Sequence, residues 1–160
     1  MSVVPQPVTD ENWPHVVALE AQAYAESGLS ERPEALASRL GRSTSFVLAD
    51  GSTVAGYVLA LPYPRFRVPD LDRVETTPFR SPNLHLHDLV VAPGYRRRGL
   101  GGRLLTHLST EARRQAYRTV SLVAVGDSAG FWTARGFRRH PEITLPAGYG
   151  PGAAYMSRPL

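Results

Sequence analysis

Apolar positions along the chain recur either at every second residue or on one side of a helical turn, and these two spacings predict its strands and helices. The segment "SFVLADGSTVAGYVLALP" holds two apolar runs around Asp50-Gly51, a strong signal for a β-hairpin. A strand is predicted from Leu84 to Ala92, ended by Pro93-Gly94. The helix predicted after it has one apolar face, made of Leu100, Leu104, Leu105, Leu108, Ala112 and Ala116.

Shorter patterns complete the order of elements. Three more helices are predicted with the following caps: Asp10 or Asn12 for a helix that continues to Tyr24, Ser30 for "ERPEALASRLG", and Asp127 or Ser128 for "AGFWTAR". Strands are predicted in "VVPQPV", "TVSLVAV" and "YGPGAAYMSRP". The segment "YPRFRVPDLDRVETTPFRSP" has four prolines and no period, which predicts a long functional or mobile loop. The order β-α-α-β-β-β-α-β-α-β, with one further strand allowed at the end, predicts a mixed sheet with helices packed on it.

Composition narrows the class of protein. The 160 residues are predicted to form one domain, residues 1–160, and 42% of them are hydrophobic, as in ordinary globular proteins. No apolar run approaches the roughly 18–20 residues that span a bilayer, and the N-terminus lacks a signal-peptide pattern, so we predict a cytoplasmic location and no membrane partner. The absence of cysteine excludes disulfides, thiolate metal sites and a Cys nucleophile.

The positive charge is carried by arginine alone. The net charge is +4, and all 18 basic residues are Arg. They are scattered except for three short clusters, which are Arg96–Arg98, Arg113–Arg114 and Arg138–Arg139. This distribution favours a solvated surface with one local anion site over a nucleic-acid interface.

The anion site is predicted in the turn between the central strand and the helix. There the sequence is Arg96-Arg97-Arg98-Gly99-Leu100-Gly101-Gly102. Glycines let backbone N–H groups approach a ligand, the helix N-terminus adds unpaired donors and partial positive charge, and arginines bind phosphate. These properties predict a pyrophosphate site. Neither the Gly-Lys-Ser/Thr of a Walker loop nor a dinucleotide-binding fingerprint is present.

At this point the sequence resembles a known family. "VVAPGYRRRGLGGRLL" resembles the acyl-CoA signature of the GNAT superfamily of N-acetyltransferases, with Arg96, Gly99 and Gly101 at its key positions. "FWTARGF" resembles the same family's late helix and Gly-Phe strand. The resemblance implies an α/β (α+β mixed) GNAT fold, with a mostly antiparallel mixed sheet of six to seven strands flanked by about four helices.

The resemblance also implies acetyl-CoA as co-substrate and no metal. The pantetheine arm is then expected along the strand, and the pyrophosphate at the backbone N–H groups of Arg97 to Gly102. Phe131 and Trp132 are expected near the sulfur end. The implied cofactor-binding residues are Leu89, Val90, Val91, Arg96, Arg97, Arg98, Gly99, Leu100, Gly101, Gly102, Phe131 and Trp132.

A pair of histidines precedes the cofactor strand. His85 and His87 are two residues apart and therefore share one face of a strand, which Leu89 and Val91 continue provided no bulge intervenes. Imidazole can take the proton of an acceptor amine, directly or through water. "HLHDLVV" also resembles the arylalkylamine (serotonin) N-acetyltransferase branch, which implies catalytic roles for both histidines. Asp88 is the alternative base if a bulge turns it inward.

The general acid is the least determined role. Trp132 stands where many family members have Tyr, and Gly126 and Asp127 replace a common Asn. An indole N–H is too weak an acid to give up its proton. Water, a backbone group, Tyr149 or Tyr155 are left as alternatives.

With no cysteine to carry an acetyl group, we predict direct transfer to a primary amine of a small molecule, such as an arylalkylamine or a polyamine. The alternatives are a protein or peptide amine, a non-catalytic acyl-CoA-binding module, and a nucleic-acid binder. Candidate acceptor-attracting acids are Glu20, Glu26, Asp70, Asp72 and Glu75, and candidate aromatic walls are Tyr24, Tyr57, Tyr63 and Phe66. Either a monomer or a homodimer is compatible with the sequence.

Overall fold

A computed structural model describes residues 2–160 of the chain. Seven strands form one sheet in the spatial order β1-β2-β3-β4-β5-β7-β6. The strands are β1 Val4–Pro7, β2 Phe46–Asp50, β3 Thr53–Pro62, β4 Asn83–Val91, β5 Thr119–Ala124, β6 Arg138–Arg139 and β7 Ala154–Pro159. The helices are α1 Trp13–Tyr24, α2 Pro33–Ala37, α3 Leu100–Arg114 and α4 Ala129–Thr133, with short 3-10 turns at Pro93–Tyr95 and Ala147–Tyr149.

The sheet opens between its two central strands. All neighbouring strands are antiparallel except β4 and β5, which are parallel. That pair is short, because only Asn83, Leu84 and His85 pair, with Thr119, Val120 and Ser121 respectively. Beyond His85, β4 continues along β3 to Val91 without pairing to β5. The sheet therefore offers unpaired backbone in its middle rather than only at its edges.

The fold class and the order of elements are confirmed. The hairpin turns at Asp50-Gly51, where Gly51 has a φ of 60°. Residues 63–82 contain neither helix nor strand, as predicted for the long loop. α3 buries its predicted apolar face of Leu100, Leu104, Leu105, Leu108 and Ala112.

Four local predictions are wrong. Ser128 precedes α4, but its hydroxyl donates to the Val125 carbonyl at 2.8 Å instead of capping the helix. Ser30 does not cap the second helix, because its hydroxyl donates to Glu20 at 2.5 Å, and the helix spans only Pro33–Ala37. Ala116 lies beyond the end of α3, exposed and with a φ of 67°. Asn12 precedes α1, but its side chain accepts from the Thr9 N–H instead of capping the helix.

The core divides into two clusters, one on each face of the sheet. α3 packs on one face with Leu84, Leu86 and Val120. α1 and α2 pack on the other face, where Val16 and Leu36 join residues of β2, β3 and β4. Among residues 2–160, no helix is long and apolar enough to span a membrane.

Gly56 sets the distance between β3 and β4. It pairs with Val91, and a Cβ added at Gly56 would lie 2.8 Å from the Val90 carbonyl oxygen and 3.3 Å from Leu104 Cδ1. We predict that Gly56→Ala lowers the free energy of unfolding by about 1–3 kcal/mol, because backbone or α3 must shift. Gly148→Ala is the control, since its added Cβ meets no atom within 4 Å. Denaturant titration of both variants measures this, and equal stabilities would contradict the prediction.

Candidate active site

A β-bulge at His87 determines which side chains of β4 face which side of the sheet. Leu59 pairs with Asp88 but Ala60 pairs with Leu86, so His87 is an extra residue in β4. Because of this bulge, Leu89 and Val91 do not share the face of the sheet that His85 and His87 occupy. Leu89 and Val91 pack toward α3. The bulge instead turns Asp88 toward α1, together with Val90.

Asp88 is a buried carboxylate held by two tyrosine hydroxyls. Tyr24 of α1 donates to Oδ1 at 2.7 Å, and Tyr57 of β3 donates to Oδ2 at 2.5 Å. Burial raises the pKa of Asp88 to about 6, although His87 and the two hydroxyls oppose the shift. Burial, reinforced by the Asp88 charge, also raises the pKa of each tyrosine well above its ordinary value. Both tyrosines therefore stay protonated donors.

His87 is hydrogen-bonded to Glu31, which in turn forms an ion pair with Arg39, and both partners are distant from His87 in sequence. Its Nε2 lies 2.6 Å from Glu31 Oε2, and the other carboxylate oxygen of Glu31 lies 3.0 Å from a guanidinium nitrogen of Arg39. Burial alone would raise the pKa of Glu31, but His87 and Arg39 together hold it below its ordinary value. Glu31 is therefore an ionised acceptor that fixes the orientation of the His87 ring.

His85 occupies a different environment from His87. It is 1% exposed and lies at the last paired position between β4 and β5, with Nδ1 2.9 Å from Ser121 Oγ. Burial, with a smaller contribution from His87, lowers its pKa to about 3, so its ring is neutral near physiological pH. The two imidazole rings are 6.3 Å apart between centroids.

An acidic cavity of about 210 Å³ opens beside His87 and Asp88. Three carboxylates line it, those of Glu20, Glu31 and Asp88, and no arginine does. Its other lining residues include Tyr24, Leu29, Leu71, Leu89, Trp132 and Tyr149. The oxygens of Glu20 accept from the Ser30 hydroxyl and the Glu31 N–H, which holds this carboxylate in place. The acidic cavity is suited to a cationic ligand.

A second cavity, here called the loop cavity, measures about 390 Å³ and lies at the start of α3. Leu89, Ser128 and Trp132 line both cavities, so the two adjoin. Nearly all predicted cofactor-binding residues line the loop cavity, together with Tyr95 and Arg135. Two predicted residues do not line it: Val90 packs on the opposite face of the sheet, and Arg98 places its guanidinium 5.5 Å from the Tyr95 ring centroid.

The loop cavity fits the pyrophosphate and pantetheine of CoA. Gly99 is the N-cap of α3, with a φ of 74°, and Arg97 has a φ of 64°. The turn therefore leads directly into the helix N-terminus, whose first backbone N–H groups have no partner within the helix. A Cβ at Gly101 would lie 3.3 Å from Phe131 Cζ, so a larger residue would narrow the cavity. The unpaired backbone of β4 beyond His85 is available to an extended arm.

Neither candidate tyrosine is free to serve as general acid. Tyr149 lines the acidic cavity, but its hydroxyl donates to the Pro69 carbonyl at 2.6 Å, and burial raises its pKa. The Tyr155 hydroxyl accepts from the Phe66 N–H at 2.7 Å, and Tyr155 lines neither the acidic cavity nor the loop cavity. Both bonds anchor the long loop, which places Leu71 in the wall of the acidic cavity.

The other predicted acceptor residues are dispersed. Glu20 and Tyr24 line the acidic cavity, but Glu26, Asp70, Asp72, Glu75 and Phe66 do not, and Tyr57 and Tyr63 are core residues. Sequence reasoning missed Glu31, Arg39 and Ser121. Their partners are far away in the chain, and nothing in the local pattern marks them. Within residues 2–160, no three His, Cys, Asp or Glu side chains form a group that could hold a metal ion.

Comparison with known proteins supports the fold and shows the family. The model of the "Acetyltransferase (GNAT) family" matches residues 12–137. No curated protein matches the chain.

Three solved structures are similar over the whole chain. The ribosomal-protein-S18-alanine N-acetyltransferase from Escherichia coli is 20% identical, with a TM-score of 0.73, covering 99% of this chain and 94% of that chain. The N-acetylglutamate synthase from Neisseria gonorrhoeae, complexed with coenzyme A and N-acetyl-glutamate, is 20% identical with a TM-score of 0.75, covering 100% of this chain and 35% of that chain. PaiA N-acetyltransferase from Thermoplasma acidophilum, in complex with coenzyme A, is 14% identical with a TM-score of 0.71, covering 100% of both chains.

The raised pKa of Asp88 gives a testable pH dependence of stability. Its pKa is about 6 in the folded chain against 3.8 ordinarily, so between these values the folded state binds the extra proton. The contribution of Asp88 to stability is therefore full below about pH 4 and is lost as the pH rises through 6. We predict that Asp88→Asn gains about 3 kcal/mol in unfolding free energy relative to the unmodified chain between pH 4 and pH 7.

Denaturant titrations at several pH values measure this difference. Asp10→Asn, at an exposed position, is the matched control and should show no such trend. A constant difference for Asp88→Asn across this range would contradict the prediction.

Proposed function

Because the chain belongs to the GNAT acetyltransferase family, we propose that it transfers an acetyl group from acetyl-CoA directly to the primary amine of a small cationic molecule. The observation that carries this proposal is the junction of two cavities of opposite character at Leu89 and Trp132. The loop cavity carries arginines and the N-terminus of α3. The acidic cavity carries three carboxylates and one histidine.

The acidic cavity favours a small amine over a protein. An ammonium group is attracted by Glu20 and Asp88, while the charge of Glu31 is shared with Arg39. A volume of about 210 Å³ is sufficient for a compact amine. Leu29, Leu71 and Tyr149 provide apolar surface beside the carboxylates, which favours an amine with an apolar or aromatic body. This supports the arylalkylamine class suggested by the His-x-His sequence over a polyamine.

We assign the proton-accepting role to His87. Since Glu31 is ionised, it accepts the Nε2–H of His87, which leaves Nδ1 unprotonated and able to take the proton of the amine. Asp88 holds the ammonium group before that transfer. His85 is buried against Ser121 and acts by positioning β4. Bound acetyl-CoA supplies the thioester, and Trp132 contributes a wall common to both cavities rather than a proton.

The role of His87 predicts a specific change in the pH profile. His87→Ala should lower kcat by about 100-fold or more and remove the acid limb of the kcat profile, because the group that must be deprotonated is lost. Glu31→Gln should lower kcat by a smaller factor, since the His87 ring loses its ionised partner. His15→Ala, at an exposed position on α1, is the control. An unchanged pH profile in His87→Ala would move the role to Asp88 or to water.

The acceptor class is tested by thiol release from acetyl-CoA across a panel of amines. We predict turnover with aromatic primary amines, and less with polyamines, neutral amides and peptides. Glu20→Gln should raise KM for cationic acceptors several-fold and lower kcat by a smaller factor, because it removes a charge and also alters the acceptor of the Glu31 N–H. Turnover with peptides alone would instead support a protein-amine acetyltransferase. Stabilisation by acetyl-CoA without thiol release for any amine would support a non-catalytic acyl-CoA-binding module.

A further inference from the structure

A third cavity, here called the arginine cavity, lies along the outer side of α3 and measures about 310 Å³. Its lining residues are Gly102, Leu105, Thr106, Ser109, Arg113, Arg135 and Arg158. Three arginines therefore line this cavity, and no carboxylate does. The arginine cavity is continuous with the loop cavity, because Gly102 and Arg135 line both.

Two of the three arginines are held rigidly by uncharged partners. Arg135 donates to the Phe131 carbonyl at 2.9 Å, and its guanidinium carbon lies 3.5 Å from the Phe131 ring centroid. Arg158 donates to the Arg135 carbonyl at 2.7 Å and to Ser109 Oγ at 3.0 Å. The Nε of Arg158 is buried with no hydrogen-bond partner among residues 2–160. Fixed guanidinium donors that lack an anion are suited to bind one.

Arg113 adds a third positive charge that the described part of the chain does not neutralise. It forms no salt bridge within residues 2–160, whereas its neighbour Arg114 pairs with Glu111 at 3.3 Å. Burial lowers the pKa of Arg158, and the positive charge of Arg113 lowers it further. A bound dianion would offset these positive charges.

We propose that the arginine cavity binds a phosphate monoester, namely the 3′-phosphate of CoA. CoA carries this phosphate and its pyrophosphate on the same ribose, so a second phosphate site must lie within one nucleotide of the first. Gly102 belongs to the pyrophosphate turn, and Ser109 follows it by seven residues on α3, which corresponds to about 10 Å along the helix. The proposal rests on the CoA assignment and not on the identity of the acceptor or on catalysis.

The test compares binding of CoA and 3′-dephospho-CoA by calorimetry at constant ionic strength. We expect the unmodified chain to bind CoA at least about tenfold more tightly, since charge-assisted contacts to one phosphate are lost in the analogue. Arg113→Ala should reduce the ratio of the two affinities severalfold, because it weakens the binding of CoA and leaves the binding of 3′-dephospho-CoA unchanged. Arg113→Glu should abolish the preference for CoA. Arg113 is chosen because its side chain makes no salt bridge whose loss would unfold the chain.

Arg114→Ala is the matched control, since it removes one arginine from the same helix turn outside the cavity, and it should keep the full ratio. Equal binding of the two ligands by the unmodified chain would overturn the proposal. An equal loss of affinity for both ligands in Arg113→Ala would also overturn it. Stabilisation by inorganic phosphate, without any preference for CoA over its analogue, would assign the cavity to a free anion and likewise overturn it. Because the readout is binding, failure of acetyl transfer would leave this result unaffected.

Discussion

The separation of β4 from β5 after only three paired residues is the constraint on which the site depends. Parallel strands that part in the middle of a sheet leave backbone donors and acceptors unpaired, which is costly unless a ligand or water satisfies them. The point of separation is fixed by buried side chains. Asn83 accepts from Thr119 and donates to Ser121, and Ser121 contacts His85. This network ends the pairing at one register and so sets where both cavities begin.

The bulge at His87 then sorts the side chains of β4 by charge. Asp88 joins Glu20 and Glu31 on the side of α1, while Leu89 and Val91 face α3 and the loop cavity. A cationic region and an anionic region thus lie on opposite sides of one short strand segment, separated by Leu89 and Trp132. An anionic donor and a cationic acceptor would each be bound by the region of opposite charge, with their reactive ends at this boundary.

The sequence predicts the local parts of this arrangement well and the tertiary parts poorly. The hairpin at Asp50-Gly51, the helix of Leu100 to Ala112 and the glycine turn depend on neighbouring residues, and all three are found. The bulge adds one residue to β4 but leaves no clear mark in the apolar pattern of the strand. The sequence therefore does not predict which face of the sheet Asp88 occupies. Glu31 reaches His87 across 56 positions, and only the packing of α1 against the sheet brings the two together. Ser30 likewise has its partner, Glu20, ten residues away on α1.

Arg39 links the histidine to the loop that forms the opposite wall of the acidic cavity. Its buried guanidinium is shared between Glu31 and the carbonyls of Asp70 and Arg73, on either side of Leu71. Exchange of the Leu71 side chain can therefore alter which acceptors fit while leaving the contacts among His87, Glu31 and Arg39 intact. Insertions or deletions in the loop would instead displace Arg39 and with it Glu31. Acceptor preference in such a chain would diversify by point substitution of wall residues, with loop length held constant.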